Sequence, residues 1–176
     1  MLCGLLLRPV TAQMTPEAPV EDFTLTDHRG EPFSLSDARG TLVMLSFGYS
    51  FCPDVCPLTL AGYARVLEDL GERAESVTPL FVSLDPRRDT PEVLAPYVGY
   101  FHPAIIGLTG EEGRLKEIVR RFGGTFAYRG DTDGGRYTLD HPANLYLLDP
   151  QGRLTAIVPF GLPPGHILQR IRELLP

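Results

Sequence analysis

Two thiols four residues apart, in Cys52-Pro53-Asp54-Val55-Cys56, are the groups whose type and spacing most directly permit chemistry in this chain. Thiolates exchange disulfides with other thiols or bind soft metal ions. On a helix, residues four apart rise by about 6 Å and share a face. That separation falls inside the roughly 4.4–6.8 Å Cα window in which a disulfide closes, and it equally lets two sulfurs reach one ion. Spacing permits both chemistries. Asp54 and Pro57 are helix-start residues. Thiols at a helix start are expected to be exposed, close together and drawn toward the thiolate. Asp54 is expected to cap that helix; its charge opposes thiolate formation but favours a bound cation. The span departs from the Cys-x-x-Cys of thioredoxin-type redox motifs, and Pro53 and Pro57 remove two N–H donors from the turn.

Two thiolates leave a metal site incomplete. Structural zinc takes four protein ligands, and Cys3, the third cysteine, lies on an N-terminal tail poorly placed to supply one. Copper(I), being soft, accepts two thiolates and one imidazole. Four histidines are available. His28 lies in an early turn and is expected at the surface. His102 ends a helix, and His166 starts the last one. His141, in Leu139-Asp140-His141-Pro142, precedes a buried strand. In a thioredoxin-like sheet that loop lies beside the first βα turn, so His141 leads the four without spacing alone deciding. Asp54 and Asp140 are weak candidates for a further oxygen ligand. Two other readings stand beside metal binding. One is a thiol–disulfide oxidoreductase or peroxide-handling enzyme with Cys52 attacking and Cys56 resolving. The other is a thioredoxin-like binding domain switched by its disulfide. Tyr49 and Phe51 flank the thiols and could shield them, although Phe51 could equally pack in the core. Asp85, Arg87, Arg88 and Asp89 read as a helix-entry turn held by ion pairs, ahead of a partner-docking surface.

The elements that must position these groups alternate. Residues 41–47 form a continuous apolar run, as expected of a strand buried on both faces. Leu60, Tyr63, Ala64, Leu67 and Leu70 then repeat at helical spacing, with Gly71 to close the helix. Residues 79–84 form a second buried strand. Pro91 opens a helix that Pro96 bends or shortens. Residues 105–108 are strand-like, and Leu115, Ile118, Val119 and Phe122 mark another helix ended by Gly123-Gly124. Residues 23–26 and 31–34 flank a turn and predict an N-terminal β-hairpin. Residues 126–128 and 136–139 flank Asp131-Thr132-Asp133-Gly134-Gly135, an inserted hairpin before the histidine loop. Residues 144–148 and 154–158 are joined by Asp149-Pro150-Gln151-Gly152, a turn signature. A last helix carries Ile167, Ile171, Leu174 and Leu175. The order predicts an α/β, thioredoxin-like fold.

With 176 residues, the chain suits one domain that buries roughly 70% of its unfolded surface. The expected division is a tail or linker over residues 1–20 and the folded domain over 21–176. A net charge of −6 without a basic cluster argues against nucleic acid and anionic membrane surfaces. The apolar start Met1-Leu2-Cys3-Gly4-Leu5-Leu6-Leu7 is too short to span a bilayer, which takes about 20 residues. It reads as a frayed terminus or the remnant of an export signal or anchor.

Phe47-Gly48-Tyr49-Ser50-Phe51-Cys52-Pro53-Asp54-Val55-Cys56-Pro57 resembles the copper motif of the Sco (SenC-like) family, the assembly factors for cytochrome c oxidase. The likeness continues through Ser83-Leu84-Asp85-Pro86-Arg87-Arg88-Asp89-Thr90-Pro91 and Gly107-Leu108-Thr109-Gly110. It ends with Asp140-His141 and Tyr146-Leu147-Leu148-Asp149-Pro150-Gln151-Gly152. The likeness thus covers the chain from about Phe23 to the C-terminus, with four motifs in family order. The resemblance implies that Cys52, Cys56 and His141 bind copper, as Cu(I) and Cu(II), in a metallochaperone or thiol reductase serving the binuclear copper centre of oxidase subunit II. It further implies an extracytoplasmic, membrane-tethered protein on the periplasmic side of the inner membrane, expected to be a monomer. Subunit II, other copper chaperones and thiol reductants are its expected partners. The Gly- and Asp-rich segment from Arg129 to Arg136 is expected to leave the histidine loop mobile.

Overall fold

A computed structural model describes residues 19–175; Cys3 and the rest of the tail lie outside the described residues. The chain is tied to the domain from Pro19, which bridges Arg153, and from Val20, whose N–H donates to the Gly152 carbonyl. The predicted N-terminal hairpin is present as β1 (Thr24–Asp27) and β2 (Pro32–Ser34), antiparallel in register. Asp27 closes its turn, accepting the N–H groups of Arg29 and Glu31.

The apolar run becomes β3 (Leu42–Gly48), buried at every position. Burying a polar side chain costs free energy unless it is paired, which favours an apolar strand here; Ser46 is the one hydroxyl the strand buries. The helix α1 (Val55–Leu70) follows, closed at Gly71. It buries Leu60, Tyr63, Leu67 and Leu70 as the spacing predicts, with Val66 added and Ala64 only half-buried. Next come β4 (Val77–Ser83), α2 (Pro91–Phe101), β5 (Ile106–Thr109) and α3 (Glu112–Arg121). Pro96 sits inside α2 without ending it. The inserted hairpin is β6 (Ala127–Asp131) with β7 (Arg136–Asp140); β8 (Leu145–Leu148), β9 (Leu154–Val158) and α4 (Pro164–Leu174) complete the chain.

Seven strands make one mixed sheet in the order β2-β1-β5-β4-β3-β8-β9, while β6 and β7 form a separate two-stranded ribbon. Strands β3, β4 and β5 are parallel, and β8 runs antiparallel to β3. Two register facts position the chemistry. Gly48 pairs with Ser83, so β3 and β4 end together and their following loops emerge side by side. Ser46 pairs with Leu145, so the segment entering β8 arrives at that same edge. The carboxyl edge of parallel strands is where open α/β sheets place their sites. Beneath it, Phe47, Phe122 and Tyr146 meet edge to face, with centroids 4.9–5.7 Å apart, a favoured aromatic arrangement.

Candidate metal centre

The loop after β3 carries the cysteines. Cys52 is half-buried on the turn, its N–H donating to the Tyr49 carbonyl at 3.2 Å. Cys56 lies in the first turn of α1 and is only 2% exposed. Its sulfur occupies the space that a side chain at Gly48 would need: a Cβ there would stand 2.6 Å from Cys56 Sγ and 2.7 Å from Phe81 Cε2. Glycine at the end of β3 is therefore what lets the second thiol face the sheet edge.

His141 arrives on the segment leaving β7. Its Nε2 stands 3.7 Å from Cys56 Sγ, and its Nδ1 lies 3.0 Å from the Pro142 carbonyl oxygen. A carbonyl only accepts, so Nδ1 carries the proton and Nε2 presents its lone pair to the sulfur. The Tyr49 ring meets the imidazole edge to face at 5.7 Å. Burial holds the His141 pKa below its ordinary value, against the raising effects of the Pro142 carbonyl and Asp140. The imidazole is kept neutral, the form in which it ligates.

The expectation of an activated thiol pair fails at Cys56. Burial pushes that thiol well above the usual cysteine range, and the nearby Cys52 adds to the effect. A helix N-terminus contributes about 0.3–1 kcal/mol, less than one pKa unit, whereas burial shifts a group by up to about 3–5 units, so burial dominates. Asp54 occupies the N-cap position, but its side chain makes no capping hydrogen bond.

The ligating atoms of Cys52, Cys56 and His141 all lie within 4.8 Å of one another. Among the described residues no fourth Cys, His, Asp or Glu joins the group. Two sulfurs and one imidazole nitrogen fit a soft ion content with three donors better than structural zinc. The other histidines stand elsewhere. His28 is half-buried rather than at the surface, because its Nδ1 accepts the Gly107 N–H at 3.2 Å. His102 accepts the Ala104 N–H, and His166 is exposed at the start of α4. Asp140 pairs with Arg129 at 2.6 Å instead of joining the cluster.

The loop after β4 is held by one ion pair of the expected kind, Asp85 with Arg88, and by hydrogen bonds to Asp89. Asp85 and Asp89 are both 0% exposed. Asp89 accepts the Ser50 N–H at 2.8 Å, together with the hydroxyls of Ser50 and Ser83, and so pins the cysteine loop to the β4 edge. Asp85 pairs with Arg88 at 2.5 Å and accepts the Tyr137 hydroxyl at 2.8 Å. Phe51 is not in the core: it is 58% exposed, with its ring 4.7 Å from the Arg88 guanidinium. Gly48, Ser50 and Tyr137 were not singled out from sequence as supports for the site. A glycine ending an apolar strand, signalling close approach, is the one local clue that could have found Gly48. The Gly- and Asp-rich segment forms a regular ribbon, with Asp131 accepting the Gly134 N–H at 2.8 Å across its turn.

A family model described as SCO1/SenC matches residues 11–176. The chain belongs to the SCO1/SenC family. Among its Sco relatives, the SCO2-like protein of Rickettsia felis is 40% identical over 152 residues, covering 86% of this chain and 74% of that protein. The structure of Bradyrhizobium japonicum ScoI with copper bound is 32% identical and superposes with a TM-score of 0.81, covering 90% of this chain and all of that one. The solution structure of apo Sco1 from Thermus thermophilus is 35% identical with a TM-score of 0.78, over 94% and 95% of the two chains. The thioredoxin-like architecture expected from the element order is the fold these Sco structures share.

Proposed function

We propose that this Sco-family chain binds one copper ion through Cys52, Cys56 and His141 and acts in cytochrome c oxidase assembly. In this reading it delivers copper to the binuclear centre of subunit II, or prepares that centre's cysteines beforehand by reducing their disulfide to two thiols while its own Cys52 and Cys56 become a disulfide. The observation that carries the proposal is the convergence of two sulfurs and one neutral imidazole within 4.8 Å. Copper in the B. japonicum relative supports it. Copper is cargo here, and the chain's own work is to receive it, hold it and let it go. The thiols of Cys52 and Cys56 give up their protons as donors, so binding releases protons. His141 enters already in the right tautomer. Its lone pair is oriented by the Pro142 carbonyl and its ring by Tyr49. Oxidation of the two thiols to a disulfide removes both sulfur donors, which ties occupancy to redox state. The reading also places the domain on the extracytoplasmic side of a membrane. No helix among the described residues is long and apolar enough to cross one.

A second reading keeps one observation in its favour. Cys52 is accessible while Cys56 is buried beside it, the arrangement of an attacking and a resolving thiol. Anaerobic titration of the fully reduced chain with Cu(I), in parallel with Cys52→Ser, Cys56→Ser and His141→Ala, separates the two. Copper assembly predicts one copper per wild-type chain, loss of tight binding in either serine variant, and weaker retention in the histidine variant. Absence of stable copper, with rapid disulfide exchange that survives His141→Ala, would instead establish the oxidoreductase.

A further inference from the structure

The ribbon β6–β7 carries His141 at its end, yet it shares no strand pairing with the seven-stranded sheet. The cysteines, by contrast, sit on a loop rooted in β3. Whatever holds ribbon and loop together therefore sets the geometry of the centre. Tyr49 of that loop reaches the ribbon directly, at the Leu139 backbone and edge-on at the His141 ring. Among the described residues a side chain from a third segment touches both. Arg88, in the β4–α2 loop, donates from Nε to Asp85 at 2.5 Å and from Nη1 to the Tyr137 carbonyl of β7 at 3.2 Å. Its guanidinium carbon lies 3.7 Å from the centroid of the Tyr137 ring. It also faces the cysteine loop, 4.7 Å from the Phe51 ring centroid and 5.7 Å from that of Tyr49. Tyr49 in turn packs edge-on against His141. The Tyr137 hydroxyl donates to the second oxygen of the same Asp85 carboxylate, closing a ring of three residues.

A solvated surface arginine does not look like this. The Arg88 side chain is 17% exposed, and its carboxylate partner is fully buried. Guanidinium is the cation suited to such a place, because its planar fork stacks on aromatic rings while donating in plane. We infer that Arg88 is a positioning residue for the metal centre: locked between Asp85, Tyr137 and Phe51, it clamps the histidine-bearing ribbon to the cysteine loop and sets how long a bound ion is retained. The retention half of this inference rests on the proposed copper function; the clamping half does not.

The test compares wild type, Arg88→Met and Arg88→Lys, first free of copper and then loaded with one Cu(I). In the copper-free proteins, amide hydrogen exchange is followed in residues 127–140 and in β3 and β4. Arg88→Met is expected to speed exchange in the ribbon about tenfold while β3 and β4 stay protected, the signature of local opening. Loaded Arg88→Met is expected to surrender Cu(I) to excess bicinchoninate about tenfold faster than wild type, in proportion to that opening. Lysine, a point charge without the fork, is expected to restore neither value. Ribbon exchange at the wild-type rate overturns the inference. So does a loosened ribbon with wild-type copper release, or full recovery by lysine. Should Arg88→Met fail to fold, Tyr137→Phe carries the test, since it keeps the ring and deletes only the hydroxyl on Asp85. Faster ribbon exchange supports the clamp there, and unchanged exchange removes it. A wild-type chain that retains no Cu(I) sinks the proposed function, and ribbon exchange in the copper-free protein then decides the clamp alone.

Discussion

At the scale of single residues, the centre depends on small groups that make room as much as on the donors. Gly48 is the sharpest case. Replacing it with alanine forces a methyl group into Cys56 Sγ and the Phe81 ring, an overpacking that costs about 1–3 kcal/mol in a close-packed core. Gly48→Ala is expected to lower the unfolding free energy by that amount in a denaturant titration, and to weaken copper retention because the second sulfur is displaced. Unchanged stability would show that Phe81 yields freely. The unequal burial of the thiols gives a second prediction. With iodoacetamide at neutral pH, Cys52 is expected to be alkylated at least about tenfold faster than Cys56, whose thiol is buried and held protonated. Mass spectrometry of partly modified protein checks the order, and equal rates would mean that the first turn of α1 opens readily. The cysteine spacing was legible because it is local. The burial of Cys56 was not, because it depends on Gly48 and on Phe81 of the neighbouring strand, 25 residues further along in sequence.

At the scale of elements, two buried aspartates organise turns that hold the sheet's outer strands. Asp27 closes the β1–β2 turn. Asp149 closes β8–β9 by accepting the N–H groups of Gln151 and Arg153 and the Arg153 Nε. In both, burial would raise the carboxyl pKa, but the arginine and backbone hydrogen bonds outweigh it and hold it below the ordinary carboxylate value. The sign follows. A group whose folded-state pKa is depressed contributes stability present above its unfolded pKa of 3.8 and lost as pH falls through the folded value. Stability is therefore expected to fall on acidification below about pH 4, and the fall should be shallower in Asp149→Asn than in wild type. Urea midpoints measured from pH 5 down to pH 3 test this; parallel curves would contradict it. At neutral pH the same variant is expected to lose about 1–3 kcal/mol, since backbone donors in the turn lose a charged acceptor. The helices and main strands were legible from apolar periodicity. So was this turn, from Asp-Pro-Gln-Gly. The pairing of β6 with β7 was legible as an inserted hairpin, but its separation from the main sheet was not, because strand order depends on partners remote in sequence.

At the scale of the whole molecule, the topology brings together groups 85 residues apart. Parallel β3 and β4 end in register, and β8 returns antiparallel beside β3, so three loops converge on one edge. His141 led the four histidines in the sequence through an assumed thioredoxin-like strand order and through its place in the Sco-like motif; the register of β3 with β8 supplies the physical reason. The clamp through Arg88 lay beyond the sequence, since its contacts join residues 37 and 49 positions away through aromatic faces and a backbone carbonyl. The account stands on a single coordination claim, and X-ray absorption at the copper edge of the protein loaded with one Cu(I) tests it most directly. Two sulfur scatterers and one imidazole nitrogen in wild type, with the nitrogen lost in His141→Ala and one sulfur lost in Cys56→Ser, is the predicted result. An all-sulfur site, or a wild-type spectrum unchanged by His141→Ala, would contradict it.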